Sequence, residues 1–437
     1  MDNQPPPSSA DLQTLFSEGF AHHQSGNFPE AERLYRLVLA RMPDNVNLLC
    51  NLGILYRDMK QPALALTHLQ QASAIDPENP MINLNLGAIY EAQNDLSAAV
   101  TTYRRALQAA PSDPRILSNL GKALYLQGEQ DAALDSLNKA VMLAPDYPPA
   151  QNNLGVLLCG LGRAHEAITC FKQSLSVNPE DSDTLYNLAG ALNTVGDMTE
   201  AESCYRRTLV IDPHHASAHH MLAAVTGTAT EKAPIDYVAD TFDRYADQFD
   251  YQLTEKLGYQ VPVLLKEALE QAVGTKPFRH GLDLGCGTGL SGLAFRDLAE
   301  KLTGVDLSAK MLEKAGAKKI YQTLHQADVV TYLTDCRDTF DLFIATDVFV
   351  YIGDLVPVFT AIRERAATPA CLVFSIERAP QGQDYELRAS GRYAQSVDYI
   401  LRLAADFGYT VVVNREQNIR QEQGQWIEGN LFILSLP

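Results

Sequence analysis

Between Leu282 and Gly289 the chain reads Leu-Asp-Leu-Gly-Cys-Gly-Thr-Gly, with Gly285, Gly287 and Gly289 at alternate positions directly behind an apolar run. A turn of this kind, following a buried strand and opening a helix, lets the backbone pass close to a ligand that any side chain would block. Taken alone, it would hold the pyrophosphate of a dinucleotide equally well. Acidic residues then close later apolar runs, at Asp306-Leu307, Asp328-Val329 and Thr346-Asp347-Val348-Phe349. A carboxylate ending the second strand can accept hydrogen bonds from both hydroxyls of a ribose, and Leu307 beside it can pack on a flat ring. Each aspartate alone would serve as a helix cap or turn residue. Together with Asp283 they describe one pocket.

The elements that must position these residues alternate. Apolar strands are expected at 281–284, 302–306, 320–324, 340–345, 371–376, 410–413 and 430–436, and helices at 291–298, 309–315, 354–366 and 396–407. Strand and helix in alternation predict a doubly wound α/β sandwich ending in a hairpin. Ahead of it, residues 237–251 carry aromatics at helical spacing, and 261–273 reads as an amphipathic helix.

The first half keeps a different clock. Proline recurs at Pro43, Pro77, Pro111, Pro145, Pro179 and Pro213, each 34 residues after the last. Glycine follows at Gly19, Gly53, Gly87, Gly121 and Gly155, with Ala189 in the sixth unit. Alanine does so at Ala31, Ala65, Ala99, Ala133, Ala167 and Ala201. Small residues suit a close helix crossing, and proline ends the second helix of each unit. Six units cover about 12–213, with 214–225 as a capping helix that hides the last apolar face. The resulting division is a flexible tail at 1–10, a solenoid at 11–225, a polar linker at 226–236 and the α/β domain at 237–437.

A second register runs through the solenoid: Asn51, Asn85, Asn119, Asn153 and Asn187. Stacked asparagines offer a donor and an acceptor each, so a ladder of them can grip an extended peptide backbone. They would equally serve inter-repeat hydrogen bonds. Near the cap, His214-His215-x-x-x-His219-His220 has spacings that could gather imidazoles. No carboxylate or thiolate completes a site, so these residues are taken as a solvated cap and no metal is expected.

A net charge of −18 disfavours nucleic acid as partner, because a phosphate backbone calls for a basic stripe. No apolar run approaches the roughly 20 residues of a membrane span, and the polar, Pro/Ser-rich start lacks a secretory signal. Seven scattered cysteines without a C-x-x-C pair suit a reducing compartment. A cytoplasmic protein is expected.

The 34-residue units resemble tetratricopeptide repeats (TPR), each a helical hairpin, and the asparagine register resembles the ladder in the repeat domain of O-linked N-acetylglucosamine transferases. Leu282–Gly289 is very similar to motif I of class I S-adenosylmethionine-dependent methyltransferases, in glycine spacing and in the acidic residue two positions ahead. With the segments 242–250 and 391–396, nearly the whole chain resembles bacterial methyltransferases that contain these repeats. The resemblance implies two domains: an all-α TPR solenoid, then an α/β class I methyltransferase domain, Rossmann-like and seven-stranded, with the last strand antiparallel. It implies S-adenosyl-L-methionine as cofactor, held by Asp283, Gly285, Cys286, Gly287, Gly289, Asp306, Leu307, Asp328, Val329 and Asp347. Asp283 would approach the methionine amine, and Asp328-Val329 would read the adenine. The solenoid would recruit a protein or peptide; the alternatives are a small-molecule methyltransferase whose repeats serve only for docking in a complex, and a non-catalytic S-adenosylmethionine-binding adaptor. Methyl transfer mostly needs alignment and exclusion of water. Tyr245, Tyr351 and Glu377 are the candidates for handling an acceptor proton, with Tyr237, Tyr251, Arg392 and Tyr393 as further candidates for shaping the cleft.

Overall fold

The computed structural model describes residues 9–246, 249–275, 277–422 and 424–436, so the start of the expected tail lies outside the described residues. The chain divides into two compact units, Met1–Ala191 and Leu192–Pro437.

The first unit is a stack of helical hairpins: Ser9–Gln24 with Phe28–Leu39, Val46–Asp58 with Pro62–Ile75, Pro80–Ala92 with Leu96–Ala109, Pro114–Leu126 with Gln130–Leu143, and Pro148–Gly160 with Ala164–Val177. A Cβ placed on Gly87 would lie 2.4 Å from Tyr103, and one on Gly155 would lie 2.5 Å from Phe171. The glycines are therefore the price of seating a large ring at each crossing. Ala31, Ala65, Ala99, Ala133 and Ala167 are fully buried at the matching place on the second helix. From the second hairpin on, each second helix stops two residues before its proline, as at Ile75 before Pro77, while the first stops at Leu39, four before Pro43. Further prolines at Pro80, Pro114 and Pro148 open the next helix, where a missing N–H costs nothing.

The helix Ser182–Val195 spans the division; Met198–Ile211 and Ala216–Thr226 belong to the second unit. There, helices Ile235–Tyr245 and Phe249–Tyr251, a π-turn Gln252–Lys256 and helix Val261–Val273 precede the sheet. The strands are β1 Phe278–Leu284, β2 Ala299–Asp306, β3 Thr323–Gln326, β4 Phe340–Ala345, β5 Ala366–Glu377, β6 Tyr385–Leu387, β7 Tyr393–Gln395, β8 Thr410–Glu422 and β9 Gln425–Leu436. Seven of them form one sheet in the order β3-β2-β1-β4-β5-β9-β8, with β1 to β5 parallel and β9 antiparallel to both neighbours. Alternate residues feed two cores: Phe432 and Leu434 face one side with Leu282, Phe343 and Phe374, while Leu431 and Ile433 face the other with Ile344, Val373 and Leu265.

Four features depart from the sequence reading. The terminal hairpin is far longer than 410–413 and 430–436, because β8 runs on to Glu422 and β9 begins at Gln425, in largely polar sequence with little apolar patterning. The short pair β6-β7 and the helix Val329–Asp335 were not foreseen. The third strand begins later, at Thr323, because Tyr321 turns inward to a buried carboxylate instead.

The polar stretch after residue 226 is docked rather than loose. Ala233 N donates to Tyr351 O (2.9 Å), and Gly353 N and Asp354 N donate to Glu231 O (2.8 and 2.9 Å). The histidine segment also needs correction as a solvated cap. His215 Nδ1 accepts from Ala218 N and starts the helix, whereas His220 is buried against Tyr237 and Tyr393.

Candidate functional site

Strand order reverses between β1 and β4, which opens a crevice at the carboxyl ends of the strands. The glycine turn leaves β1 there. Gly285, Gly287 and Gly289 have φ of +63°, +52° and +92°, a region that L side chains enter only with strain. A Cβ on Gly285 would also meet Val348 Cγ2 at 2.7 Å. Asp306, ending β2, ties the turn down: its carboxylate accepts from Gly287 N and from Ser308 N, both at 2.8 Å. Burial raises its pKa, and those backbone N–H groups pull against the rise.

Above this turn lies a cavity with about 1080 Å³ of empty volume, its mouth included. Gly285, Cys286, Gly287, Asp306, Leu307, Asp328, Val329, Asp347 and Tyr351 all line it, so the structure brings these nine expected residues together. Asp328 is also a helix cap, since its Oδ1 accepts from Val330 N (3.1 Å) and Thr331 N (3.2 Å). Its other oxygen faces Lys232 Nζ at 3.6 Å.

Other expected residues sit elsewhere. Asp283 is fully buried and does not line the cavity; its Oδ2 accepts from Ser291 Oγ and Tyr321 OH, both at 2.6 Å. Its Oδ1 has no partner, and burial pushes its pKa up to about 7. Gly289 starts the helix Leu290–Phe295 behind the turn. Glu377 is buried in ion pairs, with Oε1 bonded to Arg420 Nη2 and Oε2 to Arg388 Nη1 (3.0 Å), outside the cavity wall. Burial raises its pKa to about 7, with Arg392 and Arg388 opposing. Among the candidates for proton handling, it is a clasp. Tyr251 is exposed, Tyr237 packs on His220, and the side chain of Tyr245 lies outside the described residues.

The helices ahead of the sheet roof the cavity with Val238, Phe242, Phe249, Leu253 and Tyr259. Two aspartates latch the roof to the strand ends. Asp243 accepts from Ser308 Oγ, and Asp250 accepts from Thr288 Oγ1 and from Lys318 Nζ (2.7 Å). The segment 242–250 was visible as a pattern in the sequence, but the partners of its aspartates were not.

Behind Asp347 stands Arg420, among the largest fully buried side chains of the described residues. Its Nη1 reaches both oxygens of Asp347 (2.8 and 3.0 Å). Asp347 has φ +59°, so this grip holds a strained residue at the cavity wall. Nothing in the polar β8 sequence singles out Arg420.

Arg392 lines the cavity from the β6-β7 turn. That turn is held by two carbonyls: Ala389 O accepts from Asn193 Nδ2 (2.7 Å) and Gly391 O from His220 Nε2 (2.8 Å). Gly391 has φ +78°, and a Cβ there would lie 2.8 Å from both Met221 Sδ and Tyr237 OH. Asn193 and His220, from the last helices of the repeat pattern, thus fix where a cavity arginine stands.

In the solenoid, the asparagine register forms inter-repeat links. Asn85 Nδ2 donates to Met81 O (2.8 Å) and contacts Cys50 Sγ (3.9 Å); Asn153 Nδ2 donates to Ser118 Oγ (3.0 Å) and Asn187 Nδ2 to Asn152 Oδ1 (3.1 Å). Asn51 donates to Asn47 O (2.8 Å), and Asn119 lies beside Tyr103. Each amide Nδ2 has two hydrogens, so Asn51, Asn153 and Asn187 keep one over, whereas Asn85 uses both.

Among the described residues no helix is long and apolar enough to cross a membrane, and no cluster of metal-ligating side chains occurs.

Comparison with known proteins agrees with both halves. A methyltransferase domain model matches residues 282–367. Tetratricopeptide repeat models match 50–114, 84–148 and 152–216, and another matches 10–78. Similar solved structures include MamA (25% identity over 39% of this chain and 94% of that one, TM-score 0.33). They also include PilW, a type IV pilus biogenesis factor (19%, 49% and 100%, TM-score 0.45), and YrrB, a TPR protein with an unusual peptide-binding site (20%, 43% and 96%, TM-score 0.33). A search of curated proteins gave no match. With hairpin repeats followed by a seven-stranded sheet in this order, the chain is a tetratricopeptide-repeat protein with a C-terminal class I methyltransferase domain.

Proposed function

We propose that the chain is an S-adenosylmethionine-dependent methyltransferase whose repeat solenoid brings a polypeptide to the catalytic unit. The cofactor reading is carried by one observation: Asp306 and Asp328-Val329, from the ends of two successive strands, flank the glycine turn on a single cavity. Bound S-adenosylmethionine would supply a methyl group on a sulfonium, a good leaving group. The chain's own residues suit that ligand. Asp306 spends one lone pair per oxygen on backbone N–H groups and keeps others for the ribose hydroxyls. Leu307 and Val329 offer apolar surface to an adenine ring. The unpartnered Oδ1 of Asp283 lies behind the turn and off the cavity, where a buried water would satisfy it.

Phe242, Phe249 and Leu253 keep water from the reacting centre. With Glu377 held by arginines, Tyr351 is the candidate phenol beside an acceptor; burial pushes its pKa up and Arg392 opposes this.

Calorimetry with S-adenosylmethionine tests the cofactor reading. Asp306→Ala or Gly285→Val should weaken binding about a hundredfold or more, the turn having no room for a side chain. Unchanged affinity in both would refute the pocket.

Recruitment of a polypeptide is supported by the spare donors of the asparagine register, which would raise the local concentration of a tethered acceptor. Asn51, Asn85, Asn119 and Asn153 replaced together by Ala should reduce labelling of lysate protein at low substrate. Undiminished labelling by a folded variant would sink it. The roofed, largely apolar cavity favours a second reading, a small-molecule acceptor with the repeats used only for docking. Label from the cofactor's methyl group, appearing in metabolites rather than protein, would select it.

A further inference from the structure

Two cations line the cavity among the described residues, and they differ. Lys232 sits by Asp328, half exposed, near the proposed adenine end. Arg392 stands beside Tyr351, whose ring packs on Phe242, itself against Phe249, so that the guanidinium shares the cavity with apolar side chains. The guanidinium hydrogen-bonds Tyr351, but its Nη1 is buried without a hydrogen-bond partner. The nearest carboxylate oxygen, Glu377 Oε1, is 3.8 Å away and already bonded to Arg420. Glu377 Oε2 belongs to Arg388, and both oxygens of Asp347 belong to Arg420. The acids around Arg392 thus give it field without a bond. A guanidinium kept charged among apolar side chains, without a bonded acid, needs an acceptor from outside.

On the reading that the cavity holds S-adenosylmethionine, we propose that the methyl acceptor carries a carboxylate on an apolar body, and that Arg392 grips that carboxylate. A single planar fork matches a carboxylate in shape and in charge. A phosphate dianion would bring a second charge against Asp347 and Glu377, the carboxylates already placed around Arg392. The turn that carries Arg392 is anchored through Ala389 O and Gly391 O, so the fork is held in place before a ligand arrives, which lowers the ordering cost of binding.

The test uses the full chain loaded with S-adenosylhomocysteine, titrated by calorimetry with hexanoate, hexylamine, hexyl phosphate and a blocked apolar peptide amide bearing one glutamate. Saturable binding of a carboxylate probe in preference to the amine and the phosphate is expected. Arg392→Gln should weaken that binding about tenfold or more, with Arg392→Lys intermediate and S-adenosylhomocysteine affinity unchanged. Tighter hexanoate binding places the carboxylate on a free acid, and tighter peptide binding on a polypeptide; either supports the anchor. Equal binding of amine and carboxylate, preference for the phosphate, or a carboxylate affinity untouched by Arg392→Gln overturns it. Failure of S-adenosylhomocysteine itself to bind is a separate result, which overturns the cofactor reading. Retained nucleoside affinity in the Gln variant certifies its fold.

Discussion

The two units solve the same packing problem in opposite ways. In the solenoid a close crossing is made once and repeated: glycine under a large side chain at Gly53 and Leu69, Gly87 and Tyr103, Gly121 and Leu137, Gly155 and Phe171. In the second unit each contact is unique and distant in sequence, as when Arg420 joins Asp347 to Glu377. The difference teaches where damage travels. A change in a repeat should be felt by its neighbours alone, whereas a change in the second unit should reach a whole wall of the cavity.

The largest expected effect breaks that wall. Arg420→Leu leaves two buried carboxylates without their shared partner and should cost about 3–5 kcal/mol. Denaturant unfolding should show the loss in the second unit's transition, with the solenoid's unmoved; a shared loss would erase the contrast between the units.

Next is a pH effect set by a carboxylate buried in the second unit. Asp283 is held at about 7 by burial, well above the ordinary carboxylate range. The folded state therefore binds its proton more tightly than the unfolded chain. This contribution to stability is fully present below pH 4 and is lost as pH rises through about 7. Asp283→Asn should gain on the parent by about 1 kcal/mol per pH unit between pH 5 and 7, read from urea midpoints at each pH. A gap that stays constant with pH would contradict the burial argument.

In the solenoid, Gly155→Val pushes a methyl group into Phe171. It should cost about 1–3 kcal/mol and leave affinity for S-adenosylmethionine as it was. Loss of that affinity would show that repeats do not act locally.

The smallest effect tests the place where the two styles meet. Asn193→Ala removes one hydrogen bond to the β6-β7 turn and should weaken carboxylate binding about threefold to tenfold. Nucleoside affinity should hold. If both fall together, Asn193 supports the fold in general rather than Arg392.

Sequence revealed these regions unequally, for the same reason. Repetition made the solenoid plain, since six prolines on one period leave little choice of fold. The glycine turn and its aspartates stood out because a close backbone approach and a strand end each restrict residue type. Glu377 showed how a sequence misleads: an acid at a strand end looks like a base until three arginines from later segments are found around it. Arg420, the β6-β7 pair and the buried face of His220 stayed hidden because each is defined by partners far along the chain.

The anchored turn also bears on how such a protein can be rebuilt. Asn193 and His220 lie within the repeat pattern by sequence, yet they serve the cavity. Whole repeats could be added or exchanged ahead of residue 182 as interchangeable parts. A graft that replaced the three helices from Ser182–Val195 to Ala216–Thr226 would instead carry away two fastenings of Arg392, so the seam for modular engineering lies inside the repeat array, upstream of where the 34-residue clock stops.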